Sequence, residues 1–131
     1  MKKILFFILL LYWYGCESPL NEIVPFSGYW NVVCFNSSGS QLPMFTILIK
    51  DDGTFSNKVK IYANVDTVFV KGAIDNNGII LAQFSDSLGN NKTGNFSGSF
   101  HEINGVKYGS GIWSDTIRGA GSIGTWTAKS N

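Results

Sequence analysis

Cys16, Cys34 and His101 are the side chains best suited to chemistry in this chain, and their spacing limits what they can do. Two cysteines in an exported chain invite a disulfide. A reactive thiol needs a neighbouring cation to lower its pKa, and Cys34 has no His or Lys beside it in sequence. His101 is the only histidine, so a structural zinc site has no ligand set to draw on. A Ser-His-Asp arrangement must also use His101, and no nucleophile-elbow sequence is present. Asp51, Asp52, Asp75 and Asp86 fall in turn-like runs, where Asp commonly caps the backbone, so no carboxylate pair for glycoside hydrolysis stands out. No phosphate-cradling loop is written in the chain. The expectation is a non-enzymatic protein without a metal or a cofactor.

What remains for Cys16 is set by the residues before it. Lys2 and Lys3 precede an unbroken apolar run of eleven residues, Ile4 to Tyr14, and then Gly15. A charged start, a short apolar run and a small residue form the layout of a secretory signal peptide. A bilayer-spanning helix needs about 20 apolar residues, so this run is too short to stay as an anchor. Gly15-Cys16 resembles the lipobox of bacterial lipoprotein signals, with Trp13 and Tyr14 standing where that family usually has Leu and a small residue. The resemblance implies cleavage after residue 15 and acylation of Cys16 as the new N-terminus. It places the protein in the bacterial cell envelope, lipid-anchored at the outer membrane on its periplasmic or surface face. Residues 16–27, with Pro19 and Pro25, are expected to act as a tether to a domain at 28–131. If acylation fails, a Cys16–Cys34 bridge becomes possible.

Charge narrows the partners further. The chain has ten Lys and Arg and nine Asp and Glu; losing Lys2 and Lys3 leaves eight against nine, a formal charge of −1. A near-neutral chain without a basic run argues against nucleic acid. Three tripeptides, Asp66-Thr67-Val68, Asp86-Ser87-Leu88 and Asp115-Thr116-Ile117, resemble an O-glycosylation acceptor motif of some Gram-negative lineages, a pattern that loop-to-strand junctions also make.

The elements that must position these residues are strands. Eight strand-length segments, with no helical period among them, run from Tyr29–Phe35 through Phe45–Lys50, Thr54–Tyr62, Thr67–Ile74, Ile79–Ser85, Thr93–Glu102 and Val106–Trp113 to Ile123–Lys129. Asp52-Gly53, Asn77-Gly78 and Asn104-Gly105 tolerate the positive φ of hairpin turns, so neighbours in sequence pair antiparallel. Eight strands in a meander leave two open edges unless they close. The predicted fold class is therefore all-β, a small eight-stranded antiparallel up-and-down barrel following the signal peptide and tether.

Three Gly-x-Trp units, Gly28-Tyr29-Trp30, Gly111-Ile112-Trp113 and Gly124-Thr125-Trp126, recur in this frame. The first is similar to the first-strand signature of lipocalins, and the repeated style and small size resemble avidin-type barrels. Both resemblances imply an eight-stranded meander with a small-molecule site at the barrel mouth.

Alternation assigns an inward set of Trp30, Val32, Cys34, Phe45, Ile47, Ile49, Phe55, Val59, Ile61, Val68, Val70, Ile74, Phe96, Phe100 and Trp126. Segments 79–85 and 106–113 stay ambiguous, because both of their faces carry apolar residues, and Gly109 and Gly111 are candidates for a bulge. An eight-stranded barrel has room either for its own side chains or for one small ligand. A cup of the second kind is expected to use Trp30, Asn57, Trp113 and Trp126, with Asn57 the clearest inward polar group, to bind a small apolar or amphipathic ligand. A filled barrel is expected to act as a structural or protein-interaction module of the envelope instead. Its contact face is then the apolar patch Val33, Phe35 and Leu48, unless Ile23-Val24-Pro25-Phe26 folds back to cover it.

Overall fold

The computed structural model describes residues 23–61, 67–116 and 122–131. Eight strands follow in chain order: β1 (Gly28–Asn36), β2 (Phe45–Ile49), β3 (Thr54–Val59), β4 (Val68–Ile74), β5 (Ile79–Ser85), β6 (Lys92–Ile103), β7 (Val106–Asp115) and β8 (Ser122–Ser130). All pair antiparallel in one sheet of order β2-β1-β8-β7-β6-β5-β4-β3. The pairing of β1 with β8, Cys34 opposite Trp126, rolls the meander into a barrel. Turn chemistry drives it locally: Asn104 and Gly105 take φ of 53° and 77° and join β6 to β7 in two residues.

One seam stays open. β2 and β3 are consecutive yet form no ladder; a tight turn joins them, with Lys50 N–H donating to Thr54 O at 2.9 Å. Beyond that turn Asn57 bridges the seam, its Oδ1 accepting the Leu48 N–H at 3.3 Å. A side-chain amide thus stands in for a strand-to-strand bond.

The fifteen inward assignments are all buried. Both ambiguous strands resolve. On β5, Ile80, Ala82 and Phe84 face in while Leu81 and Gln83 face out; on β7, Gly109, Trp113 and Asp115 face in while Ile112 faces out. The expected bulge at Gly109 and Gly111 is absent, since β6 and β7 stay in register throughout; the irregularity lies instead at Phe84/Ser85, between β5 and β6. These glycines make room for rings. Gly111 pairs with Trp126 and Gly124 with Trp113, so two Gly-x-Trp units on adjacent strands clasp each other, each indole lying over the other unit's glycine. An added Cβ at Gly111 would lie 2.6 Å from Trp126 Nε1, and one at Gly124 the same distance from Trp113 Nε1.

The domain boundary expected at residue 28 lies inside the packed unit. Val24 and Phe26, read from sequence as tether, are buried in the core. Val24 N–H donates to Asp51 O at 2.9 Å, and the Phe26 ring packs on Phe100 at 6.0 Å and on Trp30 at 6.5 Å. The segment caps the barrel end formed by the β2–β3, β4–β5 and β6–β7 turns. Lys107 completes it, its ammonium bound to the Pro25 carbonyl and 6.0 Å from the Phe26 ring centre.

Candidate functional site

The four residues expected to line a ligand cup are all engaged by the barrel itself. Trp30 is fully buried; its Nε1 donates to Phe26 O at 2.8 Å and its ring meets Phe100 edge-on at 4.2 Å. Trp126 stacks on Phe96 at 4.4 Å and donates to Ser97 O at 3.0 Å. The Trp113 N–H is shared between Phe35 O at 3.0 Å and Thr125 O at 3.1 Å. A buried indole N–H requires such a partner. Asn57 is half-buried in the β2–β3 seam and spends its oxygen on Leu48. Rings run in contact along the interior, from Phe26 through Trp30, Phe100, Trp126 and Phe96 to Phe84. The Trp113 and Trp126 indoles each lie against a glycine of the neighbouring strand.

Cys34 sits in this packing, 1 % exposed and free. Burial pushes its thiol up to about 12, because the core strips a thiolate of its solvation. It is a core residue rather than a nucleophile. Cys16 lies outside the described residues. His101 is exposed on β6 and stacks on Tyr108 of β7 at 6.2 Å. Gln83 faces solvent.

The expected outer patch is divided. Leu48 is exposed beside Tyr29, whereas Val33 and Phe35 are half-buried further along β1, opposite Thr127 and Thr125 of β8. Between the two halves Thr46 Oγ1 donates to Asn31 Oδ1 at 2.9 Å, a polar break. The segment at 23–26 covers neither half, being used at the barrel end.

A larger feature lies on the outside. A trough of about 1490 Å³ crosses the outer face of β3 to β8. Its floor follows two neighbouring rows of the ladder: Ala73, Leu81, Ser97, Ile112 and Thr125 in one, and Lys71, Gln83, Asn95, Ser114 and Ile123 in the other. Leu81, Ile112 and Ile123 are 68 %, 64 % and 64 % exposed, far more than an aliphatic side chain with a packing partner. Lys50, Lys71 and Lys92 stand on its wall, and no carboxylate among the described residues lines it. Asp86, in the nearby β5–β6 loop, is turned to its own loop: its carboxylate accepts from Asn90 N–H at 2.8 Å and from Asn91 Nδ2 at 2.7 Å, which holds its pKa below the usual range.

Sequence reading did not name this trough, but it held the signal. Segments 79–85 and 106–113 resisted assignment because both faces are apolar; one face packs the core and the other is the trough. Of the glycosylation-like hydroxyls, Ser87 is half-exposed in the β5–β6 loop and Thr116 donates to Thr93 O at 2.9 Å; Asp66 and Ile117 lie outside the described residues. No protein-family model, curated protein or solved structure matches the chain.

Proposed function

We propose that the mature protein is a non-enzymatic lipoprotein of the bacterial cell envelope, anchored through an acylated Cys16, whose filled barrel binds an envelope partner on its outer face. The lipobox-like Gly15-Cys16 behind a short apolar run supports the anchor. The observation that carries the mode of action is where apolar surface is spent. Inside, every tryptophan N–H of the three Gly-x-Trp units is satisfied by the main chain, and Trp30 and Trp126 belong to one run of contacting rings. Outside, three aliphatic side chains stand bare in one depression. A barrel whose interior is its own core recognises partners through its surface. The eight residues from Cys16 to Val24 reach at most about 29 Å when fully extended, which keeps the barrel near the membrane.

The test is made in cells. Expression of the full chain with radiolabelled palmitate is expected to give a labelled, membrane-retained product, and Cys16→Ala is expected to abolish both. Photo-crosslinking side chains placed one at a time at Tyr29, Leu48, Leu81 and Ile123 are expected to trap a partner from at least one outward position. An unacylated product carrying the mass deficit of a Cys16–Cys34 bridge would overturn the anchor. Absence of adducts at every outward position, with a small apolar molecule co-purifying in stoichiometric amount, would overturn the outer-face reading.

A further inference from the structure

The barrel end capped by Val24 and Phe26 is also the end from which the chain leads back to Cys16. Val24 is fixed there by its N–H bond to Asp51 O, and Ile23 just before it is exposed. The lead from Cys16 to Val24 reaches at most about 29 Å. With Cys16 acylated, this end is held close to the bilayer. A tether so short makes lipid contact effectively intramolecular, so a weak contact suffices.

The surface around that end is graded in polarity. In the tier at the strand ends, Leu48 of β2 lies opposite Tyr29 of β1, and Ile103 of β6 opposite Val106 of β7. Tyr29 and Ile103 are 58 % and 55 % exposed. Asn131, which follows β8, stands between the two pairs and donates its N–H to Tyr29 O at 3.1 Å. Two residues further from the end, Lys129 of β8 lies opposite Tyr108 of β7, and Tyr108 opposite His101 of β6, on which it stacks. Aliphatic groups thus come first, with phenol, imidazole and ammonium groups behind them. That is the order met on passing from the hydrocarbon of a bilayer to its headgroups, where Tyr rings settle and Lys stems reach outward to water.

The acids of this end lie elsewhere. Asp51 and Asp52 are in the β2–β3 turn, with Lys50 beside them, and Asp75 is in the β4–β5 turn. Glu102 is on the other face of the β6–β7 tip, opposite Lys107. A barrel set down squarely on this end presses those carboxylates into the headgroups; one that leans towards β1 and β6–β8 keeps them in water.

We propose that the barrel rests on the membrane by this end, tilted onto β1 and β6–β8, so that Tyr29, Ile103 and Tyr108 enter the interface of the bilayer that holds the Cys16 acyl chains. This rests on the acylated anchor proposed above and adds the lipid-facing surface to it. Ile123, near the far end of β8, stays in water and open to a protein partner.

The test uses the full chain, acylated and purified from membranes, in vesicles of phosphatidylethanolamine and phosphatidylglycerol. Ile103→Cys and Leu88→Cys each place an accessible thiol at one end of the barrel, Cys34 being buried, and each variant is labelled with an environment-sensitive dye. Flotation with the vesicles reads the anchor, and the dye reads the contact. The dye on Ile103→Cys is expected to shift its emission to the blue and to lose intensity when doxyl-labelled lipid is included; the dye on Leu88→Cys is expected to do neither. Adding Tyr29→Asp to Ile103→Cys is expected to reverse the shift, with flotation and the circular dichroism spectrum unchanged. A protein that floats but is quenched equally in both variants, or is not quenched in Ile103→Cys, would overturn the inference and leave the anchor standing. A chain that carries no acyl mass and does not float would overturn the anchor and the inference with it. A blue shift that fades as the protein is diluted over more lipid would assign this face to a second copy, and protein crosslinks from Tyr29 in cells would assign it to a partner; either result overturns the lipid contact.

Discussion

Replacing Gly111 by alanine separates local expectation from tertiary fact by its sign. In an extended strand that any residue can adopt, Gly→Ala ordinarily stabilises by about 0.4–1 kcal/mol, because the unfolded chain has less freedom to lose. At Gly111 the new Cβ would lie 2.0 Å from the Ser97 carbonyl oxygen, 2.6 Å from Trp126 Nε1 and 2.7 Å from Gly98 Cα. Two of those three neighbours are backbone, so β6 and β7 must part or the indole must leave its seat. Moving the indole breaks its hydrogen bond to Ser97 O and its stacking on Phe96, each worth about 1 kcal/mol. Overpacking of this kind costs about 1–3 kcal/mol by itself. The net expectation for Gly111→Ala is a loss of about 3 kcal/mol, a large share of the roughly 5–15 kcal/mol that holds a domain together. Urea unfolding followed by far-ultraviolet circular dichroism measures it without relying on the perturbed tryptophan. Trp126→Phe removes the crowded nitrogen, so the double variant is expected to fall short of the sum of the two single losses. A Gly111→Ala protein as stable as the parent, or more stable, would refute the clasp.

Three further outcomes follow from the same geometry. Cys34 is expected to resist thiol reagents in the folded protein at neutral pH and to react at once in denaturant; ready labelling of the native state would contradict a thiol buried in the core and raised to about 12. Asn57→Ala is expected to cost about 1 kcal/mol and to speed hydrogen exchange at the Leu48 amide in particular, since Asn57 Oδ1 is that amide's acceptor across the seam; unchanged exchange at Leu48 would show the seam closed by other means. The Asp86 carboxylate, held below its usual range first by the Asn90 N–H and then by the Asn91 amide, stabilises the fold above its unfolded value of about 3.9 and loses that contribution as pH falls through the lower folded value. Asp86→Asn is therefore expected to lower the unfolding midpoint at neutral pH, with the gap to the parent closing in acid; a gap that persists at the lowest pH would assign the effect to something other than charge.

Local chemistry settled much of this protein before any strand was placed against another. Gly and Asn at the turns carry positive φ, and polar-apolar alternation made the inward residues of the first four strands legible, because pleating puts every second side chain on one face. The same residues read singly gave no means of deciding between a cup and a solid core. That outcome depends on register: Gly111 faces Trp126 and Gly124 faces Trp113 only once β7 and β8 are aligned, and each indole can take its place only where its partner lacks a Cβ. Val24 and Phe26 looked like tether for a similar reason, since a segment flanking Pro25 has no strand period and its burial comes from the turns of other strands. The trough is the clearest case. Leu81, Ile112 and Ile123 are far apart in sequence and became one surface when the ladder brought β5, β7 and β8 into adjoining rows, a sum over side chains that no single stretch of sequence contains.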